Sequence, residues 1–276
     1  ILPFIGCSIS KSTFLSTIHF NPDAAIKVLI EKDVSIAFPA FPAVMVALSN
    51  HDDFTPENLS KLRIINNVAP IETLRSFQNK VPQATQVSAY GLTEVGGVTS
   101  FGSPDDALEH RLTTCGKPWP EVEIRILDPE TNEVMNNEEK GLIEIKGPHV
   151  FSGYLNDKEA TKNALSDDGW FSTGDIGSLT NDGYIRFHGR IKDMLKVGGE
   201  NVAALEIESF YNNHEGVMLS QVIGVEDERL GEVPALFVER KEGAKITANE
   251  LIKSAEGKIS NFKIPRYVVF VNEWPM

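Results

Sequence analysis

Between Asp168 and Val202 the chain reads DGWFSTGDIGSLTNDGYIRFHGRIKDMLKVGGENV, and this run constrains the fold more than any other stretch. It holds a Thr173-Gly174-Asp175 turn, a Gly189-Arg190-Ile191-Lys192-Asp193 turn and a Gly198-Gly199 loop. Each places a charged or polar group on irregular backbone, where a ligand can reach it. Three such elements in one order are far less expected by chance than any one alone.

The rest of the composition narrows the partners. A chain of 276 residues with 41% apolar and 24% charged residues suits one large or two modest globular domains. The formal net charge of −13 argues against nucleic acid as a main partner, because phosphate backbones require basic surfaces. It leaves nucleotide substrates open, since a few local groups and Mg²⁺ hold those. Cys7 and Cys115 stand far apart and suggest neither a disulfide framework nor a zinc site, which fits reduced thiols and a cytoplasmic location. No apolar run is long enough for a transmembrane helix, and no signal peptide is visible. The first residues already read as the middle of a domain.

Three textures follow one another. In residues 1–112, NPDAAIKVLIEK reads as a helix capped by Asn21 with Pro22 at its first position. Pro42 to Ser49 and Ile71 to Lys80 are further helices. Val34 to Phe38, Leu62 to Ile65 and Gln86 to Ala89 read as strands, so a partial parallel α/β layer is predicted. Residues 113–191 carry the short strands VEIRILD, LIEIKG and YIRFHGR between turn residues, as in a small antiparallel β-barrel or sandwich. Residues 192–276 alternate helices (Ala203 to Asn212, Ala248 to Ile259) with the strands LSQVIGV, VPALFVER and YVVFVN, a small α+β domain. The fold class is thus α/β plus α+β.

Tyr90-Gly91-Leu92-Thr93-Glu94 follows a strand end. Tyr90 offers a face for stacking a nucleobase, Gly91 permits close backbone approach, Thr93 offers a hydroxyl and Glu94 a hard oxygen suited to Mg²⁺. Alone, the same letters also describe a strand-to-helix turn with a capping Thr and a first-turn Glu. Asp175, beside its glycine, can accept hydrogen bonds from a ribose diol, although turns are where Asp is ordinarily found. Arg190 can donate a fork of hydrogen bonds to ribose or phosphate oxygens.

Together YGLTE, DGWFSTGDIG, GRIKD and KVGGENV resemble the signature of the acyl-adenylate-forming enzymes, the superfamily of acyl-CoA synthetases, luciferase-like ligases and peptide-synthetase adenylation domains. The resemblance implies that Tyr90 packs on adenine, Gly91 and Thr93 meet the nucleotide, and Glu94 binds Mg²⁺. It gives Asp175 the ribose hydroxyls, with Arg190 beside it, and makes Lys192 the hinge of a mobile C-terminal domain. Lys196 and the loop Gly198, Gly199 and Glu200 then serve thioester formation along the pantetheine tunnel. Asn66-Asn67-Val68-Ala69-Pro70 is similar to a Gly-Gly-Ala-Pro-type loop, with asparagines where glycines are common. Asn67 and Ala69, with Gly96 and Gly97, are expected at the acyl pocket.

The family's Ser/Thr/Gly-rich phosphate loop ending in Pro-Lys is not found before Tyr90, and the chain stops at Met276, before the position of the adenylation lysine. The expectation is therefore an AMP-forming acyl-CoA synthetase cut at both ends, using ATP, Mg²⁺, coenzyme A and a small carboxylic acid. The alternatives are a nucleotide-binding fragment without turnover and an adenylation domain loading a carrier protein. A halved domain would leave an apolar core face uncovered and open to self-association.

Overall fold

The computed structural model describes residues 2–40, 42–68, 71–272 and 274. An apolar helix α1 (Leu2–Ser10) opens the chain, with Phe4 meeting Phe14 edge to face. Helix α2 (Pro22–Glu31) starts as its sequence demands: the Asn21 side chain accepts from the Ala24 amide, and Pro22 follows the cap. Strand β1 (Ile36–Ala40), helix α3 (Pro42–Ser49), β2 (Ile64–Asn67), α4 (Ile71–Lys80) and β3 (Thr85–Val87) complete the predicted α/β layer. β2 runs parallel to both β1 and β3.

One face of this sheet is closed by the helices, where Ile26, Met45, Leu48, Ile65, Phe77 and Val81 form a buried cluster. On β1, Ile36 and Phe38 remain 52% and 40% exposed. Phe38 stacks on Phe101, and Phe101 on Trp119.

A small antiparallel sheet follows, with β4 (Ala89–Tyr90), β5 (Ser100–Phe101) and β6 (Lys117–Pro118) in the order β4-β5-β6 and helix α5 (Leu108–Thr113) before its last strand. Next come β7 (Glu123–Leu127), β8 (Gly141–Lys146), helix α6 (Lys158–Ala164), β9 (Phe171–Leu179) and β10 (Ile185–Arg190). These strands make a 4-stranded antiparallel sheet in the order β10-β9-β8-β7. The expected barrel is thus corrected to an open sheet. Its end strands do not pair with each other, and a sheet this narrow has too few strands to curl round and close. Its apolar face instead buries Ile126, Ile143, Ile145, Phe171 and Ile185 against Tyr90 and Val95, which joins this sheet to the site-bearing loop.

The last unit contains β11 (Met194–Val197), β12 (Glu200–Ala203), α7 (Ala204–Asn212), β13 (Val217–Asp227), β14 (Gly231–Arg240), α8 (Ala248–Ala255) and β15 (Tyr267–Val271). The strand path is β12-β11-β14-β13, with β15 parallel to β14. Leu195, Val202, Ile207, Tyr211, Leu236 and Leu251 fill its core. A reciprocal capping box between Thr247 and Glu250 starts α8. The helix ends at Ala255, short of the expected Ile259, because Gly257 turns the chain with φ +72°. Among the described residues no helix is long and apolar enough to cross a membrane.

Candidate functional site

Asp175 lies inside strand β9, not on the turn expected from its Thr-Gly-Asp context. Between Ser172 and Ile176 the ladder to β8 slips, and Gly174 takes φ +72°, so the motif is a bulge within the strand. Thr173 pins the bulge: its hydroxyl donates to the Ile143 carbonyl at 2.8 Å and accepts from the Asp175 amide at 3.0 Å. A second bulge sits at His188 in β10, and beyond it Arg190 is the direct cross-strand partner of Asp175.

The carboxylate is built into a cluster. Tyr90 donates its hydroxyl to Asp175 Oδ2 at 2.8 Å. Its ring stacks on Phe187, with centroids 5.9 Å apart. Arg190 Nε stands 3.3 Å from Asp175 Oδ1. That is a charge contact without hydrogen-bond geometry, so Oδ1 is buried and makes no hydrogen bond. Asp175 is 3% exposed, whereas the Arg190 side chain is 51% exposed. One acceptor thus waits beneath a movable cation, which suits a hydroxyl-bearing ligand better than a permanent internal bond.

Burial raises the Asp175 pKa; the Tyr90 hydrogen bond and Arg190 oppose that rise, while Asp193 and Glu94 add to it. Burial likewise raises the Tyr90 pKa, with the Asp175 charge adding to the effect. A raised folded-state pKa means Asp175 contributes stability at low pH that is lost as pH rises through that pKa. Ligand binding has the opposite sign if the ionised carboxylate accepts the ribose hydroxyls. AMP affinity is then expected to fall on acidification, beginning above the ordinary Asp value of about 4. Calorimetric titration across pH checks this, and an Asp175→Asn variant should lose that acid limb. The same limb in both proteins would sink the assignment.

The loop after Tyr90 folds back on itself. The Gly97 amide donates to the Leu92 carbonyl, and the Thr99 amide to the Tyr90 carbonyl. A Cβ at Gly91 would lie 2.2 Å from the Gly97 carbonyl oxygen, so only glycine fits the crossing. Gly96 and Gly97 hold φ +68° and +106° at its far side. Thr93 is exposed and starts a 3₁₀ turn, Thr93–Val95, that carries Glu94. Tyr154 donates to Glu94 Oε1 at 2.9 Å, which leaves Oε2 without a hydrogen bond among the described residues. No group of three or more His, Cys, Asp or Glu gathers as a metal cage among those residues. A single carboxylate of this kind has the donor chemistry to take one place in a Mg²⁺ shell whose other places are filled by phosphates and water.

Arg190, Lys192 and Asp193 line a cleft of about 550 Å³ that continues along Ala204, Glu208 and Val222 of the last unit. Lys192 lies on the exposed 3₁₀ turn Ile191–Asp193, between β10 and β11. The Gly198-Gly199 loop is tighter than expected. It is a hairpin turn between β11 and β12, closed by the pair Val197 and Glu200, with φ +62° and +91°. Positive φ at both central residues is the type I′ requirement. Lys196 is exposed on β11, and its amide donates to Glu232. No hydrogen bond or ion pair joins Lys196, Gly198, Gly199 or Glu200 to Asp175 among the described residues.

Asn67 ends β2 fully buried and donates to Gln86 at 2.9 Å, away from the Tyr90 cluster's hydrogen bonds. Ala69 lies outside the described residues. Two members of the site escaped the sequence reading. Phe187 shares the apolar alternation of β10 with Ile185 and was legible in that sense. Tyr154 stands in a loop far from Glu94 in sequence and left no local signal.

The chain matches "AMP-binding enzyme" over residues 10–155 and "AMP-binding enzyme C-terminal domain" over residues 206–276. It is 35% identical over 265 residues to the mitochondrial medium-chain acyl-CoA ligase ACSF2 of Mus musculus, covering 95% of this chain and 43% of that one. ATP-bound MatB from Rhodopseudomonas palustris superposes with TM-score 0.85 at 31% identity, over 98% of this chain and 53% of MatB. The o-succinylbenzoate CoA synthetase MenE of Bacillus subtilis, in complex with its acyl-adenylate, gives TM-score 0.82 at 26% identity over 99% of this chain and 55% of MenE. The chain spans about half the length of the proteins it matches. Since the first family match alone extends over residues 10–155 of 276, the chain belongs to the AMP-binding enzyme family.

Proposed function

We propose that this chain serves an ATP-dependent ligase that activates a carboxylic acid as its adenylate and passes the acyl group to coenzyme A. The observation that carries the reading is the Asp175 cluster: a buried carboxylate oxygen without a hydrogen bond, flanked by Tyr90 and Arg190. A ribose diol supplies the donors that Oδ1 lacks, and the exposed Arg190 fork can turn to ribose or phosphate oxygens. MatB binds ATP and MenE holds an acyl-adenylate, which supports the same ligand class here.

In the first step a substrate carboxylate oxygen attacks the α-phosphorus of ATP, and the bond to pyrophosphate breaks. In the second a coenzyme A thiolate attacks the acyl carbon, and AMP leaves. The residues of this chain contribute position and charge, which dominate phosphoryl-type transfers. Tyr90, Asp175 and Arg190 hold the adenosine, and Thr93 offers its hydroxyl to the phosphates. Glu94 would hold Mg²⁺, which when bound neutralises phosphate charge. Lys192, at the cleft between β10 and α7, is the proposed pivot. Lys196 and the Gly198-Gly199 hairpin are proposed for the thioester step, and Gly96, Gly97 and Asn67 for the acyl side.

The test pairs two measurements on the same preparation. Calorimetry with AMP is expected to show binding, and ATP–pyrophosphate exchange with a panel of carboxylic acids separates a chain that turns over from one that only binds. Coenzyme A should then yield a thioester, where a phosphopantetheinylated carrier protein does not. Binding without exchange would instead make the chain a nucleotide-binding module, and preference for the carrier would make it a loading domain. No binding of AMP or ATP at millimolar concentration would sink the reading.

A further inference from the structure

We infer that Tyr154 is a positioning residue for Glu94, holding one carboxylate oxygen so that the other faces the nucleotide's metal and phosphates; this rests on the proposed role of Glu94 above. The strap that delivers Tyr154 is built from several independent contacts. Phe151 buries its ring edge-on between Tyr154 and Phe171, and its amide donates to the Glu94 carbonyl at 2.8 Å. His149 Nε2 meets the Thr99 hydroxyl at 3.2 Å, which ties the strap to the far end of the Glu94 loop. The Tyr154 amide donates to Thr161 Oγ1 at 2.9 Å, on helix α6.

Gly153 shows how closely the strap is fitted. It holds φ +137°, and a Cβ there would sit 2.7 Å from Thr161 Cγ2. Only glycine allows the chain to turn Tyr154 inward at this point. The hydroxyl then reaches Glu94 Oε1, where it must be the donor, because an ionised carboxylate only accepts. Two facts separate this bond from ordinary anchoring. The Glu94 backbone is already fixed by Phe151, so the loop does not need the hydroxyl to stay in place. Tyr154 is also 38% exposed, so water would satisfy its hydroxyl without help from Glu94. What the bond does uniquely is select the Glu94 rotamer. A carboxylate already held in one rotamer loses less conformational freedom when it takes up a cation.

The test is the Mg²⁺ dependence of ATP binding, read by calorimetry on the whole chain. Tyr154→Phe removes only the hydroxyl and keeps the ring against Phe151. It is expected to raise the Mg²⁺ concentration for half-maximal ATP binding about 5-fold, the scale of one hydrogen bond to a charged group partly replaced by water. AMP binding without metal and the thermal midpoint should stay as in the parent. Glu94→Gln is the reference and should shift the Mg²⁺ dependence further. An unshifted Tyr154→Phe beside a shifted Glu94→Gln would overturn the positioning role and leave the role of Glu94 standing. An equal loss of metal-free AMP binding in Tyr154→Phe would also overturn it, as a structural effect. An unshifted Glu94→Gln would overturn both.

Discussion

Replacing Asp175 by alanine is expected to weaken AMP binding about 100-fold, because two charge-assisted hydrogen bonds to a ribose diol are each worth about 1.5 kcal/mol or more. The variant also strands the buried Tyr90 hydroxyl and leaves Arg190 without its cross-strand partner. A bare loss of affinity would not distinguish a ribose contact from a disturbed pocket, so the ligand must be varied with the protein. Against the parent chain, 2′-deoxy-AMP and 3′-deoxy-AMP should each bind about 10-fold more weakly than AMP. Against Asp175→Ala that difference should vanish, which is the coupling a double-mutant cycle measures. Asp175→Asn keeps an acceptor of similar shape and should fall between the two. If the deoxynucleotides discriminate equally against parent and alanine variant, Asp175 does not hold the ribose.

Gly116→Ala is expected to have the largest effect on stability, about 4 kcal/mol or more, enough to deplete soluble protein. A Cβ at this residue would fall 2.0 Å from the Phe101 carbonyl carbon, 2.1 Å from its oxygen and 2.2 Å from the Gly102 nitrogen. All three are backbone atoms, so no side chain can swing aside. The backbone angle, φ +79°, adds strain for any residue with a Cβ. The neighbours cannot yield easily either. Phe101 belongs to the β4-β5-β6 sheet, and Gly116 itself accepts from the Ile185 amide of β10 at 3.0 Å. The glycine thus sits at the joint between the small sheet and the four-stranded one, and a methyl group would wedge them apart. Urea unfolding compares it with Gly6→Ala, where nothing lies within 4 Å of the added Cβ. That control should be neutral or gain up to about 1 kcal/mol from helix propensity. A Gly116→Ala midpoint matching the parent would show that the joint can open freely.

What the sequence made legible were features that depend on near neighbours. Asn21-Pro22 announced α2, because a cap is satisfied within one helical turn. The alternation in VEIRIL and LIEIK gave β7 and β8 for the same reason. Apart from the early end of α8 at Ala255, the departures concern which strand lies alongside. Gly174-Asp175 has the composition of a turn, and only the β8 ladder makes it a bulge. Four strands remain an open sheet because β7 and β10 meet no closing partner, which no local pattern encodes. At the site, Tyr90, Glu94, Asp175 and Arg190 carried their chemistry in the motifs around them. Tyr154 did not, since its meaning depends on a loop that passes Glu94 only after folding.

The bulge at His188 turns the distance between acid and base into a question of arithmetic. Up to Phe187 the two strands advance in step, and one surplus residue then shifts the count so that Arg190 faces Asp175. Without the surplus, Gly189 would fall opposite Asp175 and Arg190 opposite Gly174. A change of one residue in length along this stretch would therefore swap the partners without altering a single functional group. Here the length of the segment matters as much as its letters, because one residue added or dropped would part the pair while leaving both side chains intact.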